Sequence, residues 1–209
     1  MKKVLFTVTV ILLFTGCVGG RLTYTPPSVQ AKINNSIVFD EPKDQIWKRA
    51  IVNLSSSFFV INNLDKESGL INLSYSGSPE KCIDCGEIDS YVKNLAGERR
   101  YKFPASTEYK EYEIMYGTTL YGCKRKLSLE GRINIVIQEL NDAQSQVTVN
   151  VKYIISKNTL TYDLQGRSKN GNETISFNTN GYEKFPEGGT ICYANTNLEK
   201  EIFEILGVK

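Results

Sequence analysis

Histidine is absent from all 209 residues, tryptophan occurs once and methionine twice. Without histidine the chain lacks the commonest general base and the commonest zinc ligand, so Ser-His-Asp, Cys-His and His-metal chemistry are excluded. A charge excess is missing too: 25 Lys and Arg against 23 Asp and Glu leave +2, no electrostatic footprint for nucleic acid. The apolar run from Val4 to Phe14 falls short of the ~20 residues that a membrane-spanning helix needs. What is present is an ordinary globular composition, 41% hydrophobic and 11% aromatic, enough for one folded domain.

The N-terminus reads Met1-Lys2-Lys3, then that short apolar core, then Thr15-Gly16-Cys17. A basic start, an apolar core and small residues before a cut site form a secretory signal. Phe14-Thr15-Gly16-Cys17 resembles the lipobox of bacterial lipoproteins, with Phe14 where Leu is usual. The resemblance implies cleavage after Gly16 and a diacylglyceryl, N-acylated Cys17 in the bacterial envelope, with the outer membrane, facing the periplasm, as the expected location. Two or three acyl chains anchor stably, at ~0.8 kcal/mol per buried CH₂. A plain secretory peptide with Cys17 as an ordinary thiol is the alternative. Cleavage removes Lys2 and Lys3 and leaves 23 basic against 23 acidic residues. The expected organisation is a signal peptide over 1–16, a lipidated flexible tether over 17–31, rich in Gly, Thr, Pro and Ser, and a single domain over 32–209.

Within that domain, Ile33 to Phe39 reads as a strand. Pro42 suits a helix start, and Ile46, Trp47, Ala50, Ile51 and Leu54 at helical spacing predict an amphipathic helix over 42–57, with Trp47 on its core face. Phe58–Ile61 and Leu70–Tyr75 read as strands around an Asp65–Gly69 turn. The stretches 77–87 and 94–104 read as irregular, and strands resume at Tyr109–Tyr116. The clearest segment places Leu127, Leu129, Ile133, Ile135 and Ile137 at odd positions, and Val147 to Ile155 repeats the pattern across Asn141–Gln144. This predicts a long antiparallel hairpin with one buried face. Ile175 and Phe177 suggest another strand. Thr196 and Glu199 fit a capping box for a closing amphipathic helix. Both helices on one face of a single twisted antiparallel sheet, an α+β plan, is the economical packing.

Four cysteines remain besides Cys17. Cys82-Ile83-Asp84-Cys85 could be a redox pair, could bind zinc with Cys123 and Cys192, or could supply two structural disulfides. The disulfide reading is preferred in an oxidising periplasm, with Cys85–Cys192 and Cys82–Cys123 as the favoured pairing. Closing the longer loop would contribute ~4 kcal/mol in the chain-entropy model. Glu108, Glu111 and Glu113, and Glu199, Glu201 and Glu204, read as solvated faces rather than acid–base pairs. Lys124-Arg125-Lys126 reads as a solvated basic edge, with contact to anionic headgroups as the sharper option. Among 12 tyrosines, Tyr109, Tyr112 and Tyr116 are candidates for a binding platform, against ordinary strand packing. No residue is a catalytic candidate, and no cofactor or metal is called for.

The cadence Trp47-x₃-Ile51-x₂-Leu54, Phe59-x-Ile61, Asp65 and Gly69-x-Ile71 resembles the repeated domain of BamC-type outer-membrane lipoproteins, a helix followed by two strands on a helix-grip-like sheet. The resemblance covers Pro42 to Tyr75. The expected function is that of a non-enzymatic lipoprotein, joined to the membrane through acylated Cys17, whose domain binds another envelope component, in the first place a protein. A carrier of a small apolar ligand held between sheet and C-terminal helix is the second reading, and a thiol–disulfide enzyme the third.

Overall fold

The computed structural model describes residues 18–28, 32 and 34–207; the signal segment expected over 1–16 and the acylated Cys17 lie outside the described residues. The elements are β1 (Gly19–Thr25), β2 (Ser36–Phe39), α1 (Lys43–Ser55), β3 (Val60–Asp65), β4 (Leu70–Gly77), α2 (Pro79–Cys82), β5 (Ile83–Asp84) and β6 (Glu87–Asn94). They continue with β7 (Gly97–Pro104), β8 (Tyr109–Tyr116), β9 (Thr119–Asn141), β10 (Gln144–Asp163), β11 (Ser168–Asn178), β12 (Tyr182–Lys184), β13 (Ile191–Ala194) and α3 (Asn197–Ile205).

Strand makes up 60% and helix 14%, over three sheets with one long helix. The expected α+β plan, one helix-grip-like sheet carrying two helices, is therefore overturned in favour of a mostly-β architecture. The difference arises where the sequence reads as irregular or as tether. The β6–β7 hairpin is held in part by charge: Arg100 pairs with Asp89 at 2.5 Å and Lys102 with Glu87 at 3.0 Å. Cross-strand ion pairs stabilise a ladder without leaving an apolar period in the sequence. Gly19–Thr25, expected as tether, is β1, antiparallel to β6 from Gly19↔Lys93 to Thr25↔Glu87. A Cβ on Gly20 would stand 2.5 Å from Met115 Cβ, so glycine is what lets β1 press against β8.

The seven-stranded sheet runs β11-β10-β9-β4-β3, with β2 on β10 and β8 on β9. Its spine is the expected β9–β10 hairpin, extended at the open end to Tyr121↔Asp163. Asn141 helps close the turn, its Oδ1 accepting from Ala143 N at 2.9 Å. On the buried side, α1 contributes Ile46, Trp47, Ala50 and Leu54, and α3 contributes Leu198, Ile202 and Phe203. Arg49 ties the two helices, donating Nε to Leu206 O at 2.7 Å while paired with Glu41 at 2.7 Å. A cation on the last carbonyls of a helix satisfies groups that the helix itself leaves open. The expected capping box is not formed. Thr196 has φ 72° and no capping bond, and Glu199 is fully buried, accepting from Tyr153 Oη at 2.7 Å and Thr179 Oγ1 at 2.8 Å.

Cys85 and Cys192 are joined, pinning the chain just after β5 to β13 and closing 107 residues. The other expected bridge does not exist: Cys82 and Cys123 are buried thiols. Cys82 packs at Tyr75 Oη (3.9 Å), and Tyr75 sits opposite Gly131 in the β4–β9 ladder. Cys123 lies eight positions along β9 from Gly131, roughly 26 Å at ~3.3 Å per residue, far beyond the ~7 Å Cα separation that a disulfide tolerates. Peptide mapping after unfolding without reductant should therefore find Cys82 and Cys123 alkylated and Cys85 joined to Cys192. A Cys82–Cys123 peptide would contradict this. Cys192→Ser should lower unfolding free energy by up to about 4.7 kcal/mol by loop closure.

Candidate functional site

Strand periodicity builds the site. On β9 and β10 the odd positions face the core, apolar from Leu127 to Ile137 and from Val147 to Ile155. At the open end of the hairpin the same face becomes polar: Leu127 stands opposite Lys157, Arg125 opposite Thr159 and Cys123 opposite Thr161. The β1-β6-β7 sheet and the β12–β13 loop cover this end. Between them lies a cavity of about 220 Å³, lined by Arg125, Lys157, Tyr112, Tyr24, Thr159 and Thr161, among others.

The two buried cations differ. Lys157 is 6% exposed and fully engaged: its Nζ stands 2.5 Å from Glu173 Oε2, donates to Glu187 O at 2.9 Å and lies 4.3 Å from the Phe185 ring centre. Burial pushes its pKa down, with Glu173 opposing. Arg125 is 3% exposed, and neither Nη1 nor Nη2 has a hydrogen-bond partner. Burial pushes its pKa down to about 10, which still leaves the guanidinium charged at neutral pH. Its field reaches the phenols of Tyr24 and Tyr112; burial drives Tyr112 up to about 12 and raises Tyr24 less far. Tyr24 is itself satisfied, its Oη accepting from Ile191 N at 2.9 Å. Glu187 adds a carboxylate at the exposed rim.

An unpaired buried charge is among the costliest groups a fold can hold. The planar guanidinium fork matches carboxylate and phosphate oxygens two at a time, and threonine hydroxyls beside it can donate further bonds. Arg125, Thr159 and Thr161 thus offer this cavity donor groups of the kind that oxyanions accept.

The residues singled out in the sequence fall elsewhere, or only partly here. Tyr112 lines the cavity, its ring 5.1 Å from that of Phe103. Tyr109 pairs with Lys126 on the opposite face, and Tyr116 is 74% exposed at the end of β8, so the three form no common platform. Cys123 lines the cavity as a thiol whose pKa burial raises. Cys82 is buried and likewise raised, and Cys85 is bonded to Cys192, so the CxxC does not form a redox pair. Among the described residues no three His, Cys, Asp or Glu side chains are grouped to hold a metal ion. Inside the basic run 124–126, Arg125 carries no sign of its own that sets it apart. Carrying the odd-position period back from Leu127 separates it from its neighbours: Lys124 pairs outward with Glu111 at 3.4 Å, Lys126 is exposed, and Arg125 points in.

No known protein family matches the chain, and neither a curated protein nor a solved structure does.

A buried guanidinium without partners on its terminal nitrogens should destabilise the fold that holds it. Arg125→Met is expected to raise the unfolding free energy of the ligand-free protein by roughly 1–3 kcal/mol, read as a higher urea midpoint at unchanged slope. A lower midpoint would make the guanidinium a structural group instead.

Proposed function

We propose that this chain is a lipid-anchored binding protein of the bacterial envelope whose inter-sheet cavity takes up a small ligand bearing a carboxylate, phosphate or similar oxyanion. The observation that carries the reading is Arg125, charged, 3% exposed and without a hydrogen-bond partner on either terminal nitrogen. Anchoring through Cys17 is supported by the lipobox-like Phe14-Thr15-Gly16-Cys17. A binding rather than catalytic role is supported by Cys123, whose thiol is held away from the reactive thiolate form.

The bound envelope component is thus a small anion in a cavity, in place of a protein on a tyrosine platform. An apolar ligand between sheet and C-terminal helix is disfavoured by packing: Leu198, Ile202 and Leu206 are 0% exposed there, and a Cβ on Gly131 would already stand 3.2 Å from Leu198 Cδ2.

Calorimetry and thermal unfolding with inorganic phosphate, sulfate, acetate and hexanoate test the reading. At least one should bind saturably and, at a hundredfold excess over its Kd, stabilise the fold by about 2.7 kcal/mol. Arg125→Met should abolish the response, and Thr161→Val should weaken it. A panel without any saturable binder, or a variant that responds like the parent, overturns the proposal.

A further inference from the structure

We infer that the hairpin ends gathered around Val18 form a membrane-seating face that rests in the headgroup layer of the bilayer. The inference rests on the anchor reading above and goes beyond it, because a lipid anchor alone leaves the orientation of the domain open. Here there is no slack. β1 begins at Gly19, two positions after Cys17, and is fixed from its first residue by the Gly19↔Lys93 pair. Two residues span at most ~7 Å. Gly20, pressed on Met115, leaves that start no room to swing. Whatever surrounds Val18 is therefore held against the membrane that holds Cys17.

What surrounds Val18 suits that position. It borders one hollow together with the β6–β7 turn (Leu95), the β8–β9 turn (Thr118), Leu120 at the start of β9 and the β10–β11 turn (Leu164, Arg167). Turns ordinarily carry small polar residues, yet Leu95 is 88% exposed and Leu164 81%, and beside them Tyr116, the last residue of β8, is 74% exposed. The turns at the other end, Asp65–Ser68 and Asn141–Gln144, are polar, like most turns. Leu164 is presented on an ordered tip: the Asp163 carboxylate accepts from Gln165 N at 3.0 Å and Arg167 N at 2.9 Å. Val18 also borders a second hollow with Arg21, Lys93 and Arg100, of which Lys93 is paired with Glu98 and Arg100 with Asp89, and the 76% exposed Arg167 is paired with Asp163. Exposed apolar tips bordered by charges already balanced within the protein match the interfacial layer of a lipid surface, where apolar side chains can enter at little cost.

The test uses the full chain, incorporated into phosphatidylethanolamine–phosphatidylglycerol vesicles. Leu95→Cys, Leu164→Cys and Asp142→Cys are each labelled with a polarity-sensitive fluorophore; the buried Cys82 and Cys123 and the joined Cys85 and Cys192 stay unlabelled in the folded protein. Asp142 is the control, since the 23 residues of β9 carry it away from the tips, roughly 75 Å at ~3.3 Å per residue. Labels at 95 and 164 should shift to the blue and be quenched several-fold more by spin-labelled lipid than the label at 142. If the protein sediments with vesicles while the tip labels stay as wet as the control, the seating face is overturned and the anchor stands. Tip labels that are shielded but insensitive to the lipid quencher mean a second copy or another protein covers the tips, which also overturns it. A chain absent from the vesicles removes anchor and seating face together.

Discussion

The pairing of β9 with β10 is the constraint on which the rest depends. A period of two fixes which residues face inward along the whole hairpin, and changing the register by one would put every lysine and glutamine of the outer face into the core. That one face does two jobs. Its closed half, from Leu127 and Ile155 to the Asn141 turn, is apolar and receives α1 and α3. Its open half carries Cys123, Arg125, Lys157, Thr159 and Thr161, and receives a second sheet instead of helices. Core and cavity are two stretches of a single ladder.

Much of the first half was legible. Helical spacing identified α1 and α3, and strict alternation identified the hairpin, because there burial alone decides the residue type. The rest was written in signals that alternation does not carry. β6 and β7 are partly held by Arg100–Asp89 and Lys102–Glu87, which look like loop polarity in one dimension. β1 has the glycine and threonine content of a tether, and only the pressure of Met115 on Gly20 shows why glycine belongs there. Thr196 and Glu199 have the right spacing for a cap, but the carboxylate is taken by Tyr153 and Thr179 in the core. Arg125 was hidden by its neighbours. Three basic residues in a row look like one charged surface, whereas a strand sends the middle one the opposite way.

Lys157 and Arg125 illustrate how differently a fold can treat two buried cations a few residues from one another across a ladder. Glu173, the Glu187 carbonyl and the Phe185 ring close around Lys157 and leave it nothing to offer a ligand. Arg125 receives no such company. Under the proposed function, the free energy that a completed network would have given the empty protein is available to an entering oxyanion, which is how preorganised sites gain affinity without large interfaces.

The Cys85–Cys192 bond joins residues 107 apart, and β1 finds its partner more than sixty residues downstream. Such wiring is slow to assemble, because distant segments must meet before their contacts are rewarded. Under the secretory leader proposed for 1–16, slowness would be useful: translocation channels accept unfolded polypeptide, and a fold completed early would jam them. The first strand, β1, is also one that cannot form until β6, ending at Asn94, has emerged. Delay is built into the order of the strands, and the last lock, the Cys85–Cys192 disulfide, can close only once residue 192 has emerged.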